Sequence, residues 1–233
     1  MNSGLAQTLA ALEQLAPAQA EQRLGQMVED DLPIQDLYGL LQDRVGQRTL
    51  VDKSPLYSAH PAWLSRAEDL FEQPKYVFLA RHPCGCIESF VRMRFHWLGG
   101  NHGRVWDENP WLFAEKSWAL HNHNILDFLG DIPPQRQHRL IYEDLVTHPE
   151  TKMRELCAFL CIPFDDAALD PLEGFSQRVG GGDPNLLARR WINPALATAW
   201  TKRPPPQASS PFTREVAAEL GYETSRDPVP LSC

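Results

Sequence analysis

No apolar run in the chain approaches the roughly 18 residues that a membrane crossing requires, and the opening residues lack the charged start and apolar stretch of a signal peptide. A cytoplasmic protein without a membrane partner is therefore expected. Basic charge is also scarce. With 22 Lys and Arg against 30 Asp and Glu, the net charge is −8 and the pI near 5.5, which excludes binding to nucleic acid by counterion release. An anionic ligand would have to be held by a few local cations. Cysteines are few and odd in number, five in all, and without an export signal they read as reduced thiols. Cys84-Gly85-Cys86 is one residue tighter than the usual zinc pair, and Cys157 and Cys161 suit one face of a helix, so no metal is expected. A Gly-x-x-x-x-Gly-Lys-Ser/Thr segment is missing too, which argues against a nucleotide kinase.

What the chain does have is enough apolar material, 43% of 233 residues, to bury one sizeable core. A single domain is expected over residues 1–223, followed by a flexible tail at 224–233. Residues 1–48 read as a helical lead-in. Leu5, Leu9 and Leu12 recur at helical spacing, as do Ile34, Leu37, Tyr38, Leu41 and Val45 after Pro33. Residues 49–165 repeat a pattern of strand, polar loop and helix. The strand candidates are Thr49–Asp52, the compact run Tyr76–Ala80 expected to be buried on both faces, and Arg139–Tyr142. Helices are expected over Pro61–Phe71, from Pro83 to about Trp97, Pro110–Leu129 and Pro149–Leu160. Residues 166–223 are irregular, with a short helix near Pro194–Trp200 and a final one near Arg214–Leu220. Such alternation implies an α/β fold with a parallel sheet covered by helices, and ligands in such folds bind beyond the carboxyl ends of the strands. Lys53, Arg81 and Tyr142 all follow strand candidates.

The segment richest in chemistry is Arg81-His82-Pro83-Cys84-Gly85-Cys86-Ile87-Glu88-Ser89. It sets a guanidinium at a strand end and a hydroxyl eight residues later in the next helix. A fork of arginine donors, a helix N-terminus and a serine could all address one phosphate. The plainer reading is that Arg81 caps a helix or pairs with Glu88.

An apolar strand, Arg-x-Pro, and a Ser eight positions after the Arg resemble the 3′-phosphate-binding segment of sulfotransferases that use 3′-phosphoadenosine 5′-phosphosulfate. Tyr142-Glu143-Asp144-Leu145 is similar to the family's second recurring segment and stands 61 residues after Arg81. Arg178 with Gly180-Gly181-Gly182-Asp183-Pro184-Asn185 is similar to its C-terminal glycine loop. The resemblance implies a three-layer fold like that of P-loop NTPases. It further implies a 3′-phosphate held by Arg81 and Ser89, an adenine near Tyr142, and a nucleotide covered by Arg178, Gly180, Gly181 and Gly182. Val51-Asp52-Lys53-Ser54-Pro55 resembles the family's lysine loop, which implies Lys53 beside the bridging oxygen of the phosphosulfate. A cation suits that place, because sulfuryl transfer drives negative charge onto the leaving phosphate oxygen. The bland reading of Lys53 is a solvated lysine before a turn.

The run from Thr49 to Tyr222 is most similar to sulfotransferase domains of cyanobacterial-type polyketide and olefin synthases. That implies sulfation of the β-hydroxyl of an acyl chain on an acyl carrier protein, or of another small hydroxylated acceptor. His82 and His60 are the expected proton acceptors, being nearest the presumed cleft; structural histidines are the alternative. The family's N-terminal strand and Pro-Arg-Ser-Gly-type loop, which cradle the 5′-phosphosulfate, have no counterpart before Asp52, and the chain reads as N-terminally truncated. An inactive nucleotide-binding or carrier-docking module is therefore the competing expectation.

Overall fold

A computed structural model describes residues 4–54, 56–93, 109–170, 191–206 and 209–224. The chain groups into two compact units, one of residues 1–53 with 162–192 and one of residues 54–161 with 193–233.

The first unit is helical. It holds α1 (Gly4–Glu13), α2 (Pro17–Glu29) and α3 (Ile34–Val45). Their apolar positions meet around Leu9, Ala20 and Leu41, with Leu5, Leu12, Leu24 and Leu50 packed alongside. Leu50 in that cluster explains why Thr49–Asp52 is not the expected strand. The segment has no regular structure; Leu50 turns onto the helices, Val51 is 76% exposed, and Tyr38 donates to the Asp52 carboxylate at 2.9 Å. Two apolar residues carry too little surface to hold an edge strand without a ladder partner.

The second unit contains α4 (Pro61–Leu70), β1 (Tyr76–Ala80), α5 (Pro83–Arg92), α6 (Pro110–Gly130), β2 (Gln137–Ile141), α7 (Tyr142–Thr147), α8 (Pro149–Leu160) and α9 (Pro211–Glu219). Two 3₁₀ turns, Pro194–Ala197 and Ala199–Lys202, stand where one short helix was expected. The helix starts share a device: α2, α4, α5, α6, α8 and α9 each begin with proline at the first position, where the missing N–H costs nothing. Side chains cap four of them, His60 on α4, His82 on α5, Asn109 on α6 and Ser210 on α9.

Among the described residues the sheet has two parallel strands, not the three expected, with Tyr76 opposite Gln137 through to Ala80 opposite Ile141. The expectation that β1 is buried on both faces is also corrected. Phe78 and Ala80 join Ile87, Trp118, Leu126, Val216 and Leu220 in the core, while Val77 and Leu79 are 42% and 51% exposed. Val77 and Leu79 point to the opposite pleat face from Phe78 and Ala80, so exposure along β1 alternates with period two.

Candidate functional site

The ladder offset is 61 residues, and the same offset in sequence relates Arg81 to Tyr142 and His82 to Glu143, the residues that follow the two strands. The side chains follow that register. The Arg81 guanidinium carbon lies 4.4 Å from the centre of the Tyr142 ring, a cation–π distance. One residue on, the His82 N–H donates to Glu143 Oε1 at 3.0 Å. Glu143 Oε2 accepts from the Tyr222 hydroxyl at 2.9 Å, tying in the chain just past α9. Burial first, and then this bond, push the Tyr222 phenol well above its ordinary value.

Other contacts close on Arg81. Its carbonyl accepts from Trp118 Nε1 at 3.2 Å. A Cβ placed on Gly85 would stand 3.3 Å from Arg81 Nε and 3.1 Å from Trp200 Cδ1, so glycine lets the guanidinium and the indole lie against the α5 backbone. Arg81 Nε is buried and has no hydrogen-bond partner among the described residues, a costly state for a charged donor. Ser89 lies four residues after Gly85 on α5, hence one turn along the same helix face as the guanidinium.

The α5 N-terminus offers fewer donors than the sequence suggests. Pro83 has no N–H, the Cys84 N–H goes to His82 Nδ1 at 3.2 Å, and the Cys86 N–H goes to the His82 carbonyl at 3.0 Å. Burial raises both the Cys84 and Cys86 thiols above their ordinary value, so at neutral pH they are protonated and poor nucleophiles.

His82 is built into the fold. Its ring stacks on Trp200 with centroids 4.3 Å apart, meets Tyr222 edge-on, and engages the Glu223 backbone besides accepting from Cys84. Burial outweighs the Glu223 and Glu143 contributions and lowers its pKa. His60 caps α4, its Nδ1 accepting the Ala62 N–H at 3.2 Å, and is exposed. Lys53 is exposed in the first unit. Arg178, Gly180, Gly181 and Gly182 fall outside the described residues. The structure thus brings together Arg81, His82 and Tyr142, with Ser89 one turn away. Sequence reasoning passed over Glu143, Trp118, Trp200 and Tyr222. Glu143 had a usable signal, since the 61-residue offset that pairs Arg81 with Tyr142 pairs His82 with Glu143 as well.

Comparison with known proteins points one way. The family model described as "Sulfotransferase family" matches residues 2–166. The solved structure of the sulfotransferase domain from the curacin biosynthetic pathway is 39% identical, superposes with a TM-score of 0.87, and covers 95% of this chain and 80% of its own. The sulfotransferase domain from the Synechococcus PCC 7002 olefin synthase is 36% identical with a TM-score of 0.82, over 95% of this chain and 76% of its own. Protein-tyrosine sulfotransferase A of Caenorhabditis elegans is 26% identical over 120 residues, 52% of this chain; the match spans only 29% of that protein's length.

Proposed function

The chain belongs to the sulfotransferase family, and from that premise we propose that it transfers a sulfuryl group from 3′-phosphoadenosine 5′-phosphosulfate to the β-hydroxyl of an acyl chain carried by an acyl carrier protein. The observation that carries the nucleotide assignment is the Arg81 guanidinium held on the Tyr142 ring with its buried Nε unpartnered among the described residues. The residues present fit a nucleotide with a distal phosphate. Arg81 supplies charge and a donor already desolvated, Ser89 supplies a hydroxyl on the same helix face, and Tyr142 supplies an aromatic wall. The carrier-bound acceptor is supported by the two similar structures, sulfotransferase domains of the curacin biosynthetic pathway and of an olefin synthase.

The donor supplies an activated sulfuryl group. In the transfer, the acceptor oxygen bonds to sulfur, the bond from sulfur to the bridging phosphate oxygen breaks, and the hydroxyl proton leaves to a base. Lys53 is our choice to face the charge that develops on the bridging oxygen. Of the two histidines singled out by sequence, His60 is the one we retain as proton acceptor. Both cap a helix through Nδ1, but the His82 ring is also held by the Glu223 backbone and the Trp200 stack, whereas exposed His60 takes the proton at Nδ1 by releasing the Ala62 N–H. We assign Arg178 with Gly180, Gly181 and Gly182 to covering the nucleotide.

Radiolabelled donor tests this reading with a β-hydroxyacyl carrier protein, a tyrosine peptide and a free β-hydroxy acid as acceptors. Label on the carrier-bound acyl chain is expected, with Lys53→Ala slowing transfer about a hundredfold, the scale of one lost charge-stabilising group. Preference for the tyrosine peptide would overturn the acceptor assignment. Nucleotide binding without label on any acceptor would overturn transfer in favour of a nucleotide-binding module.

A further inference from the structure

We propose that Glu143 is the positioning residue that sets the phosphate-binding arginine. Two consecutive residues after β2 grip two consecutive residues after β1. Tyr142 places its ring under the Arg81 guanidinium, and Glu143 takes the N–H of His82, the peptide immediately after Arg81. Fixing that peptide fixes the direction in which Arg81 leaves the strand. The carboxylate has no slack, because its second oxygen is held by the Tyr222 hydroxyl. One side chain therefore crosslinks the β1–α5 turn, the β2–α7 turn and the segment after α9.

The arrangement also explains how an anionic side chain is tolerated next to an anion site. Both Glu143 oxygens are turned onto donors within the fold, while the Arg81 Nε has no acceptor among the described residues. Charge is not what the position needs. A glutamine can accept the His82 N–H through its carbonyl and donate its amide N–H to the Tyr222 oxygen, whose hydroxyl then rotates away. The role is geometric, and it predicts rescue by the amide and loss in the alanine variant.

This inference rests on the nucleotide reading for its purpose but not for its test. Glu143→Ala, Glu143→Gln and, as a control, Val146→Ala are compared well below their melting temperatures. Val146 is buried on α7 and makes none of the hydrogen bonds of the grip, so its truncation lowers stability while leaving those bonds their partners. The first readout is the NMR signal of the Arg81 Nε–H in the free protein. It should stay resolved in wild type, Glu143→Gln and Val146→Ala, and merge with the exposed arginines in Glu143→Ala. The second is the dissociation constant for adenosine 3′,5′-bisphosphate, which should rise about tenfold or more in Glu143→Ala, the scale of a misplaced binding group, and stay unchanged in the other two. An unmoved Arg81 signal in Glu143→Ala, or its equal loss in Val146→Ala, overturns the positioning role. No binding of nucleotide by wild type overturns the site's assignment instead, and the NMR comparison still decides the part played by Glu143.

Discussion

At the scale of single residues, the site is a packing problem solved around one guanidinium. Gly85 is the sharpest test. A methyl there would stand 3.1 Å from Trp200 and 3.3 Å from Arg81, and Arg81 cannot yield freely because Tyr142 lies against it. Gly85→Ala gains about 1 kcal/mol of helix propensity and loses about 1–3 kcal/mol to overpacking, so its melting temperature should move by only a few degrees. Its affinity for adenosine 3′,5′-bisphosphate should fall at least about tenfold, a loss of about 1.4 kcal/mol. Calorimetry and a thermal melt on the same preparation check this; a large melting shift with intact affinity would contradict it.

Histidine protonation belongs to the same scale. Burial lowers the folded-state pKa of His82 and of His121, whose Nδ1 is 2.9 Å from the Ser58 hydroxyl. The unfolded chain therefore takes up these protons first. Their contribution to stability is complete above about 6.5, the ordinary histidine value, and is lost as pH falls through the lowered folded values. At His82 the Glu223 backbone and the Glu143 charge work against the shift and Arg81 works with it. Urea melts between pH 7.5 and 5 should show stability dropping below about 6.5, with a shallower drop in His121→Asn. A flat profile would mean that neither ring is held neutral.

At the scale of elements, α9 is attached through Glu115 on α6, which is 5% exposed. Its Oε1 accepts from the Ser210 N–H at 2.6 Å and from the hydroxyl of fully buried Thr213 at 2.8 Å. A carboxylate at the start of α9 also opposes the positive end of the helix dipole. Glu115→Ala strands these buried donors and should cost about 1–3 kcal/mol, or roughly 2–12 °C in melting temperature. Hydrogen exchange should accelerate first in α9, and uniform acceleration across α1–α9 would argue against a local pin. Elements like these were largely legible. β1 and α8 coincide with their sequence expectations because five compact apolar residues and a proline-led helix are local signals. Thr49–Asp52 misled because strand propensity was read without a partner for its backbone. The exposed side of β1 misled because an apolar run does not record how many faces are covered.

At the scale of the whole molecule, the family was legible from Arg81, Ser89 and the Tyr142 segment. The cluster around them was not. Trp118 lies 37 residues from Arg81, and Trp200 and Tyr222 lie more than a hundred away, and no local pattern ties them to it. Only the parallel ladder and the return of the segment after residue 193 bring them to the end of β1. That end is where open α/β sheets bind ligands.

The account stands or falls on whether that end of the sheet recognises a 3′-phosphate, and calorimetry with adenosine 3′,5′-bisphosphate and with adenosine 5′-monophosphate measures it directly. Wild type should prefer the bisphosphate by about 2–4 kcal/mol, the range for a charge-assisted phosphate contact, and Arg81→Ala should lose that preference while binding the monophosphate as before. Equal affinity of wild type for the two nucleotides, or a preference that survives Arg81→Ala, would contradict it.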